Sequence, residues 1–481
     1  MSRKKQTPEI RKKKKINIPI LLVGFGFSAV FLSMMTYITK YSLTHRQELI
    51  NNSYNGRQEI LIAQNIRGTI YSSDGDILAE TVTDSEGTEQ RVYPYGSLFA
   101  HSVGYAINGR SGVEAQGNYY LINSNAPLSE KASNEFEGVK YQGDAIYTTL
   151  DVTLQEIAAK ALGVYKGAVI VSEPSTGKIL AMVSKPDYDP NQIDVLWEDL
   201  LEDQESGMLL NRVTQGIYPP GSTFKIITTL QYIRENPETY QQYHYQCNGS
   251  YRSGEDRINC YHGQSHGQED FAKAFAKSCN SAFADIGLSL NKEKFRKTLD
   301  DLLFDQDLSI GLTSSQSRVE VSGDTDLKDM MQVSIGQGTT GMTPIHLNLI
   351  TNAIANDGTV MKPYIMDRVE NSSGTVIKQF SPSVYKKMLS SSEAEGLKVL
   401  MQGVVEQGTG RKLQGLSYTA AGKTGSAEYN SVKEDSHAWF TGFAPVDDPQ
   451  ISLTIIIEGA GSGGDFAVPI AKRIFDAYFG V

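Results

Sequence analysis

The segment Tyr218-Pro219-Pro220-Gly221-Ser222-Thr223-Phe224-Lys225 carries the serine and the lysine from which we infer the fold. Its Pro-Pro-Gly portion is a breaker, which predicts that a helix opens at the serine. Ser222 and Lys225 stand three positions apart, so their side chains are expected on one helix face. A serine hydroxyl becomes a nucleophile when a base removes its proton, and a lysine can be that base once burial lowers its pKa.

The Ser-x-x-Lys spacing alone is weak evidence, because it recurs elsewhere in the chain. Its other occurrences are Ser2/Lys5, Ser175/Lys178, Ser289/Lys292 and Ser383/Lys386. Two further motifs follow it: Ser278-Cys279-Asn280 opens an apolar helical run, and Lys423-Thr424-Gly425-Ser426 lies in a strand-like segment near the C-terminus. Each also has an ordinary interpretation, a helix-capping serine in one case and an exposed strand lysine in the other.

The order of these three motifs resembles that of the penicillin-binding protein and serine β-lactamase superfamily. Further segments look like the class B penicillin-binding proteins, which are monofunctional transpeptidases. These segments are Arg67-Gly68 with the turn Asp74-Gly75, Gly112-Val113-Glu114, Thr149-Leu150-Asp151, Tyr218-Pro219-Pro220-Gly221, Gly336-Gln337-Gly338 and Trp439-Phe440-Thr441-Gly442. The resemblance covers nearly everything from Arg67 to the C-terminus.

The resemblance implies a role for each catalytic candidate. Ser222 would attack the carbonyl between the last two D-alanines of a peptidoglycan stem peptide, with Lys225 as its general base. Ser278 would relay a proton to the leaving amine, and Asn280 would hold Lys225 and the acyl amide. Lys423 would supply the positive charge that keeps Ser278 and Lys225 tuned.

Three residues after Lys423 complete the implied substrate site. Thr424 and Ser426 would bind the terminal carboxylate of the stem peptide, and Gly425 would let the substrate backbone approach the strand. The backbone N–H groups of Ser222 and Ser426 would form the oxyanion hole. Many relatives have threonine where this chain has Ser426, and the hydroxyl group is retained.

The implied function is a serine-type D-Ala-D-Ala transpeptidase that cross-links the cell wall through an acyl-enzyme and is inhibited covalently by β-lactams. The alternatives are a D,D-carboxypeptidase or β-lactamase on the same fold, and a non-enzymatic β-lactam sensor or divisome scaffold. No cofactor is implied. The implied partners are stem peptides, lipid-linked nascent glycan, the membrane and a multipass glycosyltransferase of the shape, elongation, division and sporulation (SEDS) type.

The N-terminus has the charge pattern of a membrane anchor. Residues 1–15 hold eight Lys or Arg and one acid, and they are expected to form a cytoplasmic tail. Residues 16–39 are predicted to be a transmembrane helix, because 16–38 carry no ionisable group except Tyr37. The formal net charge of the whole chain is −10, so the rest carries −17, which argues against nucleic-acid binding.

Beyond the anchor we predict two modules in an α/β fold of the α+β type. Residues 40–150 would form a membrane-proximal pedestal, similar to a penicillin-binding protein dimerisation module, and begin with a polar stalk over 41–65. Residues 151–481 would form a transpeptidase domain in which an antiparallel β-sheet is flanked by helices. Strands are predicted at 167–172, 178–183, 418–428, 437–443 and 451–458, and a terminal helix at 469–479.

The three cysteines allow two interpretations. Cys247 and Cys260 lie in a polar loop where a disulfide would stabilise the fold by about 3 kcal/mol. A metal site is the other interpretation, since Cys260, His262 and His266 cluster, with Cys247 or Cys279 available as further ligands. Their spacing fits no common zinc pattern, so no metal is expected.

Overall fold

The computed structural model describes residues 17–44, 56–203, 205–429 and 436–481. The chain divides into two compact units, one up to Gly56 and one from Arg57 to Val481. The predicted basic tail and residues 45–55 of the predicted stalk lie outside the described residues.

The helices and strands are numbered along the chain. The helices are α1 (Ile18–Thr44), α2 (Arg57–Gln64), α3 (Gly112–Gln116), α4 (Asn118–Ile122), α5 (Leu128–Glu137), α6 (Val152–Leu162), α7 (Ile193–Glu202), α8 (Lys225–Glu235), α9 (Phe271–Ala276), α10 (Asn280–Ser289), α11 (Lys292–Asp301), α12 (Leu327–Ser334), α13 (Pro344–Ala355), α14 (Ser391–Gln407) and α15 (Gly463–Phe479). The strands are β1 (Asn65–Ile66), β2 (Ile70–Tyr71), β3 (Ile77–Thr83), β4 (Glu89–Val92), β5 (Tyr141–Gln142), β6 (Ala145–Thr148), β7 (Gly167–Ser172), β8 (Ile179–Lys185), β9 (His244–Cys247), β10 (Ser250–Ser253), β11 (Asp256–Asn259), β12 (Gly267–Asp270), β13 (Thr359–Met361), β14 (Met366–Glu370), β15 (Val376–Gln379), β16 (Val384–Lys387), β17 (Ala421–Glu428), β18 (Ser436–Ala444) and β19 (Ile451–Ile457).

Helix α1 is the first described element and covers most of the predicted transmembrane segment. It is 27 residues long with a mean hydropathy of 2.2 in its most apolar window, and its side chains are exposed. By length and composition it can cross a bilayer core of about 30 Å. Within the described residues, the predicted transmembrane segment is therefore helical from Ile18, and the helix continues to Thr44.

The larger unit is built around a five-stranded sheet in the order β17-β18-β19-β7-β8, in which every neighbouring pair is antiparallel. The sheet joins strands from both ends of the predicted transpeptidase domain, as expected. Helix α13 packs on one face, and α6 and α15 pack on the other. This arrangement confirms the predicted fold class.

Strands β18 and β19 are buried along their whole length because helices cover both faces of the sheet. Successive strand residues point to opposite faces. Ile455 accordingly packs in the cluster that contains Ile474 of α15, whereas Ile456 packs in the cluster that contains Ile345 of α13.

The predicted start of the terminal helix at Pro469 is wrong, because α15 begins at Gly463 and contains Pro469. Proline is favoured in the first turn of a helix, which suggested the later start. Within a helix, Pro469 cannot donate to the carbonyl of Asp465. The Lys412 amine lies 3.3 Å from that carbonyl oxygen and donates to it instead.

A second sheet joins the N-terminal part of the larger unit to a distant stretch of the chain. Its order is β15-β14-β6-β2-β3-β4, and β14 pairs antiparallel with β6. The Thr149-Leu150-Asp151 segment follows β6, and Asp151 caps α6 by accepting from the Leu154 N–H. Residues 366–379, which lie far beyond the predicted boundary at 150, therefore complete the sheet of the predicted pedestal.

A buried ion cluster holds this N-terminal part together. Glu114 is fully buried and accepts from Arg67 Nε and Arg91 Nε, each at 2.7 Å, and from the Tyr93 hydroxyl at 3.2 Å. Burial alone would raise the pKa of Glu114, but the two guanidinium groups more than offset it, so the pKa is lowered. The Arg67-Gly68 and Gly112-Val113-Glu114 segments thus meet at one carboxylate.

We predict that Glu114→Ala lowers the free energy of unfolding by about 3–5 kcal/mol, because it leaves two largely buried guanidinium groups unpaired. Urea unfolding of the full chain in detergent measures the loss. Glu156→Ala, which breaks an exposed pair with Lys160, is the matched control and should leave the midpoint nearly unchanged. Equal midpoints for the two variants would contradict the prediction.

Candidate active site

Ser222 lies in a 3₁₀ turn, Gly221–Phe224, that leads directly into α8 at Lys225. Gly221 has φ +52°, and its N–H donates to the Gly336 carbonyl at 2.9 Å. The helix predicted at the serine is confirmed, although it opens as a 3₁₀ turn. Ser222 lines a cleft of about 620 Å³ that is also lined by Asn280, Gln337 and Ser426.

The Lys225 amine is fully buried and held by the Ser278-Cys279-Asn280 motif. It donates to the Ser278 carbonyl and to Asn280 Oδ1, both at 2.7 Å, and lies 3.3 Å from Ser278 Oγ. The Phe283 ring lies 5.2 Å away. The first two motifs of the sequence therefore meet through one amine.

Lys423 of β17 is the second buried amine of the site. It donates to Ser278 Oγ at 2.8 Å and to the carbonyl of Thr424 at 3.1 Å. Ser278 itself has φ +59°, a backbone conformation uncommon for residues other than glycine. Ser278 thus connects the two lysines, its carbonyl bonded to Lys225 and its hydroxyl to Lys423.

Burial shifts both amines towards their neutral forms. Desolvation lowers the pKa of Lys225 to about 8. Desolvation, and then the charge of Lys225, hold the pKa of Lys423 well below its usual value. A lysine that loses its proton near neutral pH can act as a general base.

The rest of the Lys423-Thr424-Gly425-Ser426 motif runs along the edge strand β17. Thr424 is hydrogen-bonded to Thr409 through their hydroxyl groups, and Ser426 Oγ accepts from the Gly463 N–H at 3.3 Å. A Cβ on Gly425 would lie 3.0 Å from the Pro220 carbonyl oxygen. Gly425 therefore lets β17 approach the turn that carries Ser222, a contact that the sequence did not predict.

A second hydrogen-bond network, which the sequence did not predict either, contacts the residues just before this turn. Glu458 accepts from the Tyr218 hydroxyl at 2.7 Å and from Arg212 Nε at 2.8 Å. The indole N–H of Trp439 donates to the Pro219 carbonyl at 3.0 Å. The family resemblance included the Tyr-Pro-Pro-Gly and Trp-Phe-Thr-Gly segments but predicted no contact between them, and Glu458 and Arg212 lie outside both.

The candidate metal ligands divide into two groups in the structure. Cys247, Cys260 and His266 lie together with Cys279, and their four ligand atoms are within 4.8 Å of one another. His262 is not among them and lines the cleft instead. All three cysteines are free, so the structure has no Cys247–Cys260 disulfide.

Taken together, a serine at the start of a helix, a buried lysine one turn later and a hydroxyl held between two amines are equipped for acyl transfer through a serine ester. The comparisons with known proteins give the same class. The penicillin-binding protein transpeptidase domain family matches residues 167–476, and the penicillin-binding protein A dimerisation domain family matches residues 67–146. The chain belongs to the penicillin-binding protein transpeptidase family.

Its relatives include two curated proteins named peptidoglycan D,D-transpeptidase. PbpA of Mycolicibacterium smegmatis is 32% identical over 85% of this chain and 88% of its own. MrdA of Haemophilus influenzae is 30% identical over 70% of this chain and 56% of its own.

Solved structures show the same similarity. The D,D-transpeptidase domain of an Eggerthella lenta peptidoglycan glycosyltransferase is 28% identical, with a TM-score of 0.78 over 87% of this chain and 99% of that one. The penicillin G acyl-enzyme of penicillin-binding protein A from Mycobacterium tuberculosis is 27% identical, with a TM-score of 0.77 over 86% of this chain and 100% of that one.

We predict that Gly425→Ala lowers the free energy of unfolding by about 1–3 kcal/mol, because the added methyl group overpacks the contact between β17 and the Ser222 turn. Chemical denaturation of the full chain measures the effect. Gly403→Ala in α14 is the matched control, since a Cβ there meets only the Gln407 amide at 3.8 Å. It should stabilise the chain by about 1 kcal/mol. A Gly425→Ala protein as stable as the parent would refute the close approach.

Proposed function

We propose that Ser222 is the nucleophile with which this enzyme, a peptidoglycan D,D-transpeptidase, forms its acyl-enzyme. The observation that carries the proposal is the hydrogen-bonded cluster of Lys225, Ser278, Asn280 and Lys423 beside the turn that bears Ser222. The family relatives named peptidoglycan D,D-transpeptidase support the same reaction.

In acylation, Ser222 Oγ attacks the carbonyl of the penultimate D-alanine, and neutral Lys225 takes the hydroxyl proton. The backbone N–H groups of Ser222 and Ser426 stabilise the oxyanion. The intermediate collapses as the Ser278 hydroxyl, kept in position by Lys423, passes its proton to the departing D-alanine amine. Ser278 regains a proton from protonated Lys225, whose amine lies 3.3 Å from Ser278 Oγ, and Lys225 is neutral again. The products are a Ser222 ester and free D-alanine.

Thr424 and Ser426 bind the terminal carboxylate of the stem peptide before acylation, and Gly425 leaves room between them. Both residues lie on β17 close in sequence to Lys423, whose buried amine is a hydrogen-bond donor, which supports this role. Asn280 accepts a hydrogen bond from Lys225 and also lines the cleft, so it can contact the acyl amide.

The acyl group then passes to the amine of a neighbouring stem peptide, which joins two strands of peptidoglycan. A β-lactam enters as a mimic of D-Ala-D-Ala and leaves a long-lived ester on Ser222. A D,D-carboxypeptidase would differ in passing the acyl group to water, and a sensor or scaffold would not turn over. The complete set of buried amines and hydroxyl groups favours turnover, and the names of the relatives favour the amine acceptor.

The N-terminal sequence supports a location and an orientation of the enzyme in the membrane. The basic run before α1 supports a cytoplasmic N-terminus and a catalytic unit on the outer side of the membrane. The family matches of this chain are a transpeptidase domain and a dimerisation domain. We propose that a partner, a multipass glycosyltransferase of the SEDS type, polymerises the glycan that this enzyme cross-links. Lipid-linked nascent glycan is then the source of its stem peptides.

We predict that Ser222→Ala abolishes covalent labelling of the full chain by fluorescent penicillin, because no hydroxyl remains at the acylated position. Ser175→Ala is the matched control, since Ser175 has the same spacing to a lysine but lies exposed in a turn. It should be labelled like the parent. Gel fluorescence and mass spectrometry of the acylated peptide measure both results.

Label retained by the Ser222→Ala protein would refute the assignment of the nucleophile. The acceptor is tested separately, by incubating the enzyme with a D-Ala-D-Ala stem peptide and an amine acceptor. Cross-linked product supports the transpeptidase, whereas hydrolysed stem peptide alone would favour the carboxypeptidase alternative.

We predict that the acylation rate constant rises with pH and levels off above about pH 8. The neutral form of Lys225 is the base, and its fraction grows as pH rises through a pKa of about 8. Below that pKa the rate constant should fall about tenfold for each pH unit. Stopped-flow measurement with a chromogenic β-lactam gives the profile.

Lys225→Arg tests the same base without removing positive charge. Arginine is not deprotonated in proteins, so this variant should acylate very slowly at every pH. A profile that is flat or falls with rising pH, or an Arg variant with the parent's profile, would contradict Lys225 as the base.

A further inference from the structure

The three cysteines and one histidine beside the catalytic cluster have no role in the chemistry described above. Cys247 ends β9, Cys260 follows β11, His266 precedes β12, and Cys279 caps α10. We propose that Cys247, Cys260, His266 and Cys279 bind one zinc ion, which holds the Ser278-Cys279-Asn280 motif in its catalytic position.

Three distances between neighbouring ligand atoms match those of a tetrahedral zinc site, and all four ligand atoms lie within 4.8 Å of one another. The Sγ atoms of Cys247 and Cys260 are 3.7 Å apart, and those of Cys260 and Cys279 are 3.8 Å apart. His266 Nδ1 lies 3.4 Å from Cys247 Sγ. Zinc bonds of about 2.3 Å to sulfur and about 2.0–2.1 Å to nitrogen, at tetrahedral angles, set sulfurs about 3.8 Å apart and sulfur and nitrogen about 3.6 Å apart.

The surroundings of the sulfurs suit thiolates. The N–H groups of Gly249 and Ala282 donate to Cys247 Sγ and Cys279 Sγ, both at 3.4 Å, and the Ser281 hydroxyl lies 3.1 Å from Cys260 Sγ. Hydrogen bonds of this kind orient metal ligands and stabilise their charge. The three cysteines are buried. With His266 they supply four protein ligands, which is the number found in structural zinc centres.

A disulfide accounts for this geometry less well than a metal does. Cys260 is almost equally distant from Cys247 and from Cys279, so no single pair of cysteines is singled out. A bridge between any two cysteines would leave the third thiol and the His266 side chain with no role in the site. A shared metal ion uses all four groups at once.

The cluster is joined to the catalytic residues through the backbone. Cys279 stands between Ser278 and Asn280, the two residues that accept hydrogen bonds from Lys225. A zinc bond to the Cys279 sulfur would therefore hold both acceptors in place. Asn280 Nδ2 donates to the carbonyl of Asn259 at 2.9 Å, and Asn259 precedes Cys260. One ion bonded to Cys260 and Cys279 therefore fixes Asn280 from two directions.

The first experiment measures metal in the full chain purified in detergent without added metal. Inductively coupled plasma mass spectrometry should find about one zinc per chain. Cys279→Ser and His266→Gln should each lose most of it. His244→Gln is the matched control, because His244 is an exposed histidine on the neighbouring strand β9. It should keep its zinc.

Variants that misfold would also lose metal, so a second measurement uses the parent chain. Cobalt exchanged for zinc should give the visible bands of a tetrahedral ion and a thiolate-to-cobalt charge-transfer band. Three thiols that react freely in the native chain, a Cys247–Cys260 disulfide, or copper or iron in place of zinc would each overturn the proposal.

The effect on the active site rests on the proposed function and is measured separately. Removing zinc with a chelator should slow acylation by fluorescent penicillin about a hundredfold, because the reacting groups lose their alignment, and added zinc should restore the rate. Bound zinc with an unchanged rate after its removal would overturn the positioning role. Loss of acylation in zinc-replete chain would instead count against the proposed function, so the two failures are distinguishable.

Discussion

The amines of Lys225 and Lys423 are both buried, and both donate to one shared residue, Ser278. Burying an amine without partners costs several kcal/mol, which is why each is surrounded by hydrogen-bond acceptors and bordered by an aromatic ring. The five-stranded sheet supplies Lys423, and α8 and the loop before α10 supply the other two groups. The hydrogen bonds of the site therefore join these three elements to one another.

Much of this site could be predicted from the sequence because its local signals are strong. The Pro-Pro-Gly breaker predicted the helix at Ser222, and apolar runs predicted β7, β8 and the three C-terminal strands. The positive φ of Ser278 could not be predicted, since nothing in a Ser-Cys-Asn segment requires it. That conformation is what directs a carbonyl and a hydroxyl from one residue at two lysines.

Contacts between distant segments were the least predictable. Cys247 and Cys279 are far apart in the sequence, and their meeting depends on the register of β9 with β12, which places Cys247 opposite Gly267. The support of Tyr218 by Glu458 depends likewise on where β19 ends. Proline misled the prediction of α15 because the compensating donor, Lys412, comes from another part of the chain.

The sheet that β14 and β15 complete has a consequence for how the chain can be divided. Cutting before residue 151, where the sequence suggests a boundary, removes β6 and leaves β14 with a row of unpaired N–H and C=O groups. An exposed strand edge of that kind is a template for pairing with other chains. The catalytic part of this enzyme is thus protected from self-association by residues that take no part in catalysis.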